Sequence, residues 1–272
     1  MKNTIVLIHG MFQNPKSWTN WKNFFELKGF DVIAPAWPLH QGEPSALRAN
    51  PPHGLGELRL DSIITEVETL IYSLPEKPIV IGHSVGGLIV QILINRGLAK
   101  AGVAISSVAP NKMIDFDWAF LKNAATIANP LKGNEFVPMD LETFHGAFAN
   151  TLSEQEDASA FEQTATHDSR NVFRDCMGST GNIDVSQPHA PLLFIAGAED
   201  KICPADLNDK NFKAYTDESS VTTIREFPNR SHFICNEPGW EEVVDVIENW
   251  LASHGNLDAP ETNPFYTSTT NS

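Results

Sequence analysis

The chain has 272 residues, of which 34 are acidic and 19 are basic, and 42% of it is hydrophobic; its formal net charge is −15. This length allows one large domain with an insertion or two small domains, and the apolar content is enough for a sizeable core. The acidic excess argues against nucleic acid and against an anionic membrane as partners, because both are recognised through clustered lysine and arginine.

The cysteines and the start of the chain indicate the cellular setting. Cys176, Cys203 and Cys235 are few and have no CxxC spacing, so neither a disulfide framework nor a zinc site is expected. The first strand-like run begins by Thr4, which leaves no room for a signal peptide, and no apolar run approaches the roughly 20 residues that span a bilayer. We expect a cytoplasmic protein with no membrane partner.

Strand-like and helical patterns alternate along most of the chain. The strand-like runs are Thr4–Ile8, Asp31–Ala34, Pro78–Ile81, Val103–Ser106, Leu192–Ala196 and Val221–Glu226. The helical patterns are Ser17–Leu27, Leu58–Leu74, Val85–Arg96, Pro204–Ala214 and Trp240–Leu251. The strands are continuous apolar runs, as burial on both faces requires. The alternation predicts an α/β fold with a doubly wound, mostly parallel sheet of about six strands.

Two stretches depart from this alternation. Pro35–Gly56 is rich in proline, glycine and histidine and is predicted to be a long structureless loop, a feature that is often functional. Lys112–His189 is mostly helical and falls between two sheet strands, so we expect it to form a cap over the carboxyl edge of the sheet. Its predicted helices are Phe116–Ala128, Asp140–Thr151, Ser153–Thr166 and Asn171–Met177. The predicted division is a core of residues 1–111 and 188–252, a helical cap of residues 112–187, and a polar tail of residues 253–272 with little intrinsic order.

The most informative motif is Gly82-His83-Ser84-Val85-Gly86, which stands between a β-branched run and an amphipathic helix. A serine in this context lies on a sharp strand-to-helix turn with its Oγ exposed at the top of the sheet. A Cβ at either glycine would collide with the neighbouring strand or helix. The helix N-terminus adds a free N–H and a positive dipole end beside the serine. The motif predicts that Ser84 is a nucleophile.

A serine hydroxyl needs a base to take its proton, and the base needs a carboxylate to orient it. Asp200 lies just past the end of a predicted strand, at the same sheet edge as Ser84, with Glu199 as its neighbouring competitor. His232 follows the last predicted strand. We predict a triad of Ser84, Asp200 and His232. The alternatives are an Asx turn or helix N-cap at the aspartate and a surface-loop role for the histidine.

The loop after the first strand, His9-Gly10-Met11-Phe12, is expected to complete the site. Its Met11 N–H would form an oxyanion hole together with the N–H of Val85. His9 and His83 are interpreted as structural hydrogen-bonding residues. The remaining histidines share no metal-ligand spacing, so no metal and no cofactor are expected.

Taken in order, the motifs His9-Gly10, Gly82–Gly87, Gly197–Asp200 and Ser231–Phe233 resemble those of the α/β-hydrolase superfamily. The similarity covers about residues 4–252, and the chain starts at what would be the third strand of the larger members. The resemblance implies a compact, esterase-like serine hydrolase with a six-stranded sheet and a helical cap.

The leading hypothesis is hydrolysis of carboxylic esters or lactones of small to medium, largely apolar substrates through an acyl-enzyme. A cofactor-free lyase or C–C hydrolase on the same triad, and a ligand-binding receptor, remain open. The expected partner is a small-molecule ester, and the chain is expected to be a monomer or a homodimer. Apart from Met11 and Val85, the predicted pocket residues are aromatic: Phe12, Trp37, Phe116, Trp118, Phe144, Phe148 and Phe233.

Overall fold

The computed structural model describes residues 3–113 and 127–255. The strands are β1 (Thr4–Ile8), β2 (Asp31–Ile33), β3 (Ile79–His83), β4 (Ala101–Ile105), β5 (Phe136–Val137), β6 (Asp168–Ser169), β7 (Leu192–Gly197) and β8 (Thr222–Phe227). The helices are α1 (Thr19–Leu27), α2 (Pro44–Ala49), α3 (Leu60–Ser73), α4 (Val85–Asn95), α5 (Leu141–Thr143), α6 (Glu154–Thr164), α7 (Arg170–Cys176), α8 (Ala205–Ala214) and α9 (Trp240–His254). Single turns of 3-10 helix occur at Pro15–Trp18, Leu55–Glu57 and Pro130–Lys132. In the described ranges, no helix combines the length and apolarity needed to cross a bilayer.

Six strands form the main sheet in the order β2-β1-β3-β4-β7-β8, and every neighbouring pair is parallel. The predicted α/β fold with a six-stranded sheet is therefore confirmed. Because all the strands run the same way, their carboxyl ends meet at one edge. The loops that carry the predicted site residues leave the sheet at this edge.

Alternate residues of each strand supply the two faces of the sheet. In β1, Val6 and Ile8 join the core cluster that contains the apolar side chains of α3 and α4. Ile5 and Leu7 join the cluster formed with α1 and α9. Helices thus cover both faces, which explains the continuous apolar runs of the inner strands β1, β3, β4 and β7. The edge strand β8 departs from the expected pattern, because it carries the exposed residues Arg225 and Glu226.

The stretch Pro35–Gly56 was predicted to be structureless, and the structure corrects this. It contains the helix α2, which begins with a proline at its first position, where the missing N–H costs no helical hydrogen bond. Before α2, the buried side chain of Asn14 donates to the carbonyl oxygens of His40 and Gly42, at 3.2 and 2.9 Å. These contacts hold the segment against the loop that follows β1.

The described part of residues 112–187, the segment predicted to be a cap and called the cap below, differs from the prediction in its regular structure. The predicted helix Asp140–Thr151 is short: α5 is followed by a π-helical turn over Phe144–Phe148, in which the two phenylalanine rings stack 5.3 Å apart. The antiparallel pair β5–β6 was not predicted, because two-residue strands are too short to show a period. The helix α6 begins with a capping box formed by Ser153 and Glu156.

Two predicted segments lie wholly or partly outside the described residues. Most of the predicted helix Phe116–Ala128 falls in the gap between 113 and 127. The predicted tail began at residue 253, but α9 continues to His254, and the chain beyond 255 is outside the described range.

Candidate active site

Ser84 stands at the turn between β3 and α4 with φ 58° and ψ −118°. This left-handed conformation costs a non-glycine residue about 1–3 kcal/mol. Backbone hydrogen bonds hold it in place: the Ser84 N–H donates to the carbonyl of Ile105 at 2.9 Å, and the Ser84 carbonyl accepts from Val108 at 3.1 Å. The strained turn presents the side chain at the carboxyl edge of the sheet, as the motif predicts.

The two glycines of the motif let α4 pack directly against the strands. A Cβ on Gly82 would lie 2.2 Å from the Gly86 carbonyl oxygen, and a Cβ on Gly86 would lie 2.2 Å from the carbonyl oxygen of Ile8. Real Cβ atoms do not approach a backbone oxygen so closely. Any larger residue at either position would therefore move the helix whose first turn adjoins Ser84.

Asp200 and His232, which are far apart in sequence, meet in a buried pair. The Nδ1 of His232 lies 2.8 Å from Oδ2 of Asp200, and both side chains are fully buried. The other carboxylate oxygen, Oδ1, accepts from the backbone N–H groups of Ile202 and Cys203, each at 2.8 Å. The aspartate thus forms an Asx turn and orients the imidazole at the same time. The neighbouring Glu199 is exposed.

His83 supports the backbone of His232. Its Nε2 lies 2.8 Å from the His232 carbonyl oxygen, which can only accept, so Nε2 carries the proton. Burial, reinforced by the nearby His232, lowers the pKa of His83 well below its ordinary value. His83 is therefore neutral and positions the histidine loop.

His232 lines the same cavity as Ser84, and its ring nitrogen that does not contact Asp200 is Nε2. This Nε2 is buried and has no hydrogen-bond partner among the described residues. The hydrogen bond from the Ser84 hydroxyl to Nε2 is thus not made in this structure. Catalytic hydrogen bonds often form only when substrate is bound.

The loop after β1 runs directly against Ser84. A Cβ on Gly10 would lie 2.7 Å from the Cβ of Ser84, so only a glycine allows this approach. Val85 is the first residue of α4, and its N–H has no acceptor within the helix. The Met11 N–H makes no hydrogen bond to a described residue. Two backbone donors therefore flank the serine.

His9 holds the peptide that carries the Met11 N–H. Its Nδ1 lies 2.9 Å from the Gly10 carbonyl oxygen, and its Nε2 accepts from the backbone N–H of Trp37 at 3.2 Å. Burial, followed by the effect of neighbouring His40, lowers the pKa of His9 to about 3. The ring is therefore neutral, with its proton on Nδ1.

Acidification below about pH 6.5 is expected to destabilise the fold, because His9 and His83 stay neutral when folded but take up protons when unfolded. Each lowered pKa contributes stability that is complete above about pH 6.5 and falls by about 1.4 kcal/mol per pH unit below it. Urea unfolding from about pH 7 to about pH 5.5 should show this slope. In His83→Gln, whose amide can still donate to the His232 carbonyl, the slope should be smaller by one histidine's contribution; equal slopes would contradict the assignment.

The pKa of His40 is shifted in the opposite direction from the pKa values of His9 and His83. Burial alone would lower its pKa, but the Asp168 carboxylate raises it above the ordinary value. Its contribution to stability is therefore complete below about pH 6.5 and is lost as the pH rises through the folded pKa. It approaches a constant value below about pH 6.5, so the slope that reports on His9 and His83 is read in that part of the range.

A cavity of about 300 Å³ opens in front of Ser84 and His232. Of the aromatic residues predicted for its wall, Phe12 and Phe148 line it. The structure places three others elsewhere in the core: Trp37 packs on His9, while Phe144 and Phe233 pack on each other with ring centroids 5.4 Å apart. Phe116 and Trp118 lie outside the described residues.

Most of the wall comes from residues that sequence reasoning missed. They are mainly apolar: Val108, Ala109, Met113, Met139, Phe173, Met177, Ile202, Cys203 and Leu207. Only a few polar side chains join them, namely Asp140, Thr143 and Arg170. No motif marks these residues, because the direction of each side chain depends on tertiary packing of the core loops and of the cap. Ile202 and Cys203 could have been found, since they immediately follow the predicted catalytic aspartate.

Cys203 brings a thiol to the same wall. Burial and the nearby Asp200 carboxylate raise its pKa well above the ordinary value, although a hydrogen bond with Ser84 opposes the shift. The thiol therefore remains protonated and is a poor nucleophile.

The cap is attached to both loops that carry the buried pair. The carbonyl of Phe148 accepts from the N–H of Phe233 at 2.9 Å, next to His232. The Asn150 side chain donates to the carbonyl of Glu199 at 3.1 Å, next to Asp200. Thr151 donates to the carboxylate of Glu237, which also accepts from the N–H of Ser231 at 2.9 Å.

The chain combines a parallel sheet of this strand order with a serine turn and a buried aspartate–histidine pair. Together these features are typical of an alpha/beta hydrolase. The profile of the alpha/beta hydrolase family matches residues 5–246, and the chain belongs to this family. A search of curated proteins found no match to the chain.

Solved structures share the fold at low sequence identity. A monoacylglycerol lipase from Paleococcus ferrophilus is 23% identical with a TM-score of 0.67, covering 92% of this chain and 94% of the lipase. Tomato methylketone synthase I, complexed with 2-tridecanone, is 15% identical with a TM-score of 0.70, covering 93% and 99%. A methylesterase from Arabidopsis is 13% identical with a TM-score of 0.67, covering 91% and 98%.

Proposed function

We propose that the protein is a serine hydrolase that cleaves carboxylic esters or lactones through a triad of Ser84, His232 and Asp200. The observation that carries the proposal is the buried 2.8 Å contact between Asp200 and His232, together with the cavity that His232 and Ser84 both line. These three residues would thus provide a nucleophile, a base for its proton and a carboxylate that orients the base, which are the groups that nucleophilic catalysis by serine requires.

The reaction proceeds in two halves. His232 Nε2 takes the Ser84 proton as Oγ attacks the carbonyl carbon, and Asp200 stabilises the imidazolium that forms. The N–H groups of Met11 and Val85 bind the oxyanion. His232 then protonates the leaving alcohol, which departs and leaves an acyl-enzyme. Water, deprotonated by His232, attacks this acyl group, and the imidazolium of His232 returns the proton to the Ser84 oxygen as the acid is released.

The composition of the cavity supports an apolar substrate of small to medium size. Met11, Phe12, Val108 and Phe173 give it an apolar wall, and its volume is about 300 Å³. Such a wall favours acyl chains or aromatic groups over sugars, whose hydroxyls would lose hydrogen bonds to water. The lipase and methylesterase of the same fold act on esters by name, which is compatible with this proposal.

The direct test is covalent labelling with a fluorophosphonate probe, followed by a panel of p-nitrophenyl esters and lactones. Phosphonylation of Ser84, located by peptide mass spectrometry, together with turnover of a short acyl ester, is the expected result. Failure to label Ser84 together with tight binding of small apolar ligands would instead identify a receptor. Labelling without any ester or lactone turnover would favour a lyase or C–C hydrolase on the same triad.

A further inference from the structure

A buried carboxylate of the cap contacts the loop that carries the proposed oxyanion donor. Asp168, in β6, is fully buried, and its Oδ2 accepts from the backbone N–H of Phe12 at 2.9 Å. Two residues earlier in the cap, the N–H of Thr166 donates to the Phe12 carbonyl at 2.9 Å. Both polar groups of the Phe12 backbone are thus held by the cap.

The carboxylate is fixed in turn by two further groups. Its Oδ1 accepts from the N–H of Ser169 at 2.7 Å, and Nε2 of the buried His40 lies 3.3 Å from Oδ2. A carboxylate that accepts hydrogen bonds at both oxygens and lies beside an imidazole whose pKa it raises is held in one orientation, and its burial is partly compensated. Asp168 is therefore a fixed point to which the loop after β1 is attached.

The loop needs such an attachment because its backbone is strained. Phe12 has φ 63°, a left-handed conformation that bulky residues rarely adopt. The Phe12 N–H belongs to the peptide that immediately follows Met11, and His9 already holds the preceding peptide through the Gly10 carbonyl. The two peptides on either side of the Met11 Cα are thus both held.

We propose that Asp168, supported by His40, is a positioning residue for catalysis: from the cap, it sets the direction of the Met11 N–H toward the substrate oxyanion. The proposal rests on the proposed hydrolase function. It makes part of the cap a requirement for transition-state binding, in addition to any role in enclosing the substrate.

The test substitutes Asp168→Asn. An amide cannot accept at both positions, so its NH₂ must face either the Ser169 N–H or the Phe12 N–H together with His40. The Phe12 peptide should shift, and kcat for a p-nitrophenyl ester should fall about 10- to 100-fold, the range for misplacement of a transition-state contact. KM should change less than about twofold, because the oxyanion exists only in the transition state. The inhibition constant of a trifluoromethyl ketone, which forms an oxyanion with the serine, should rise in parallel with the fall in kcat.

Asp175→Asn is the matched control. Asp175 is also a cap carboxylate; it accepts from the N–H of Leu60 at 3.1 Å and from the Arg59 side chain at 2.6 and 2.8 Å. It does not line the cavity, and its side-chain hydrogen bonds go to Arg59 and Leu60, outside the loop after β1. Its loss should lower the melting temperature while leaving kcat and the inhibition constant near wild-type values.

Unchanged kcat and inhibition constant in a folded Asp168→Asn variant would overturn the proposal, as would equal losses of kcat in both variants. If Asp168→Asn does not fold, His40→Gln is the deciding variant. A fall in kcat at constant KM, smaller than the roughly 10- to 100-fold fall expected for Asp168→Asn, supports the positioning role, and an unchanged kcat overturns it. A wild-type protein that neither reacts with fluorophosphonate nor hydrolyses any ester would refute the hydrolase function itself, a result separate from any comparison between variants.

Discussion

Replacing Ser84 by alanine is expected to lower kcat for p-nitrophenyl butyrate by about 10⁴- to 10⁶-fold, the range for removal of a triad nucleophile. Alanine removes only the Oγ, and the left-handed turn is held by backbone contacts to Ile105 and Val108 that the substitution leaves in place. The fold should therefore persist, with a melting temperature close to that of the wild type. Stopped assays of purified protein, together with circular dichroism, measure both effects.

Ser106→Ala is the control for this variant. Ser106 follows β4 as Ser84 follows β3; it is buried, has φ 45°, and its Oγ has no hydrogen-bond partner among the described residues. It does not line the cavity. Its replacement should leave kcat within about twofold of wild type, because a non-contacting hydroxyl contributes nothing to the transition state. Comparable losses in the two variants would show that packing at this sheet edge, and not the Ser84 hydroxyl, supports activity.

Asp200→Asn is expected to lower kcat about 10⁴-fold at neutral pH, because it imposes the wrong histidine tautomer. The Asx turn determines which way the new amide points. The N–H groups of Ile202 and Cys203 both require an acceptor at the Oδ1 position, so the amide oxygen must stay there. The NH₂ group then faces Nδ1 of His232 and forces the imidazole proton onto Nε2. A protonated Nε2 cannot accept the proton of the Ser84 hydroxyl.

Glu199→Gln is the matched control for the acid. It makes the same chemical change one residue earlier, on an exposed side chain. Its kcat should remain within about twofold of wild type, since a solvated surface charge interacts weakly with the site. If Glu199→Gln lost activity and Asp200→Asn retained it, the triad would need a different acid. The two variants thus resolve the choice between neighbouring carboxylates that the sequence leaves open.

The parallel sheet could be predicted because strands that are buried on both faces require continuous apolar runs in the sequence, as in β1 and β3. The serine turn could be predicted because a side chain at Gly82 or Gly86 would collide with the neighbouring backbone, so the motif requires glycine at both positions. The alternatives at Asp200 could not be separated, because an Asx turn and an orienting carboxylate favour the same residue before the same kind of loop. In the structure one side chain does both.

The wall of the cavity was the least predictable part. Proximity in sequence to a catalytic loop does not fix the direction of a side chain, and Trp37 and Phe233 turn away to pack on other rings. The role of Asp168 was also out of reach, because its partner Phe12 is 156 positions away and the two-residue strand that carries it has no local signature. Such contacts follow from how the cap docks, which local patterns do not encode.

The hydrogen bonds from the cap at Phe148, Asn150 and Thr151 have a consequence for engineering. A cap grafted from a relative to change selectivity would replace the partners of the Phe233 amide, the Glu199 carbonyl and the Glu237 carboxylate. A chimaera that omits these three junctions would disturb the catalytic loops before its new pocket could be assessed. Swaps that keep residues 148–151 and exchange only the surrounding helices are the better starting point.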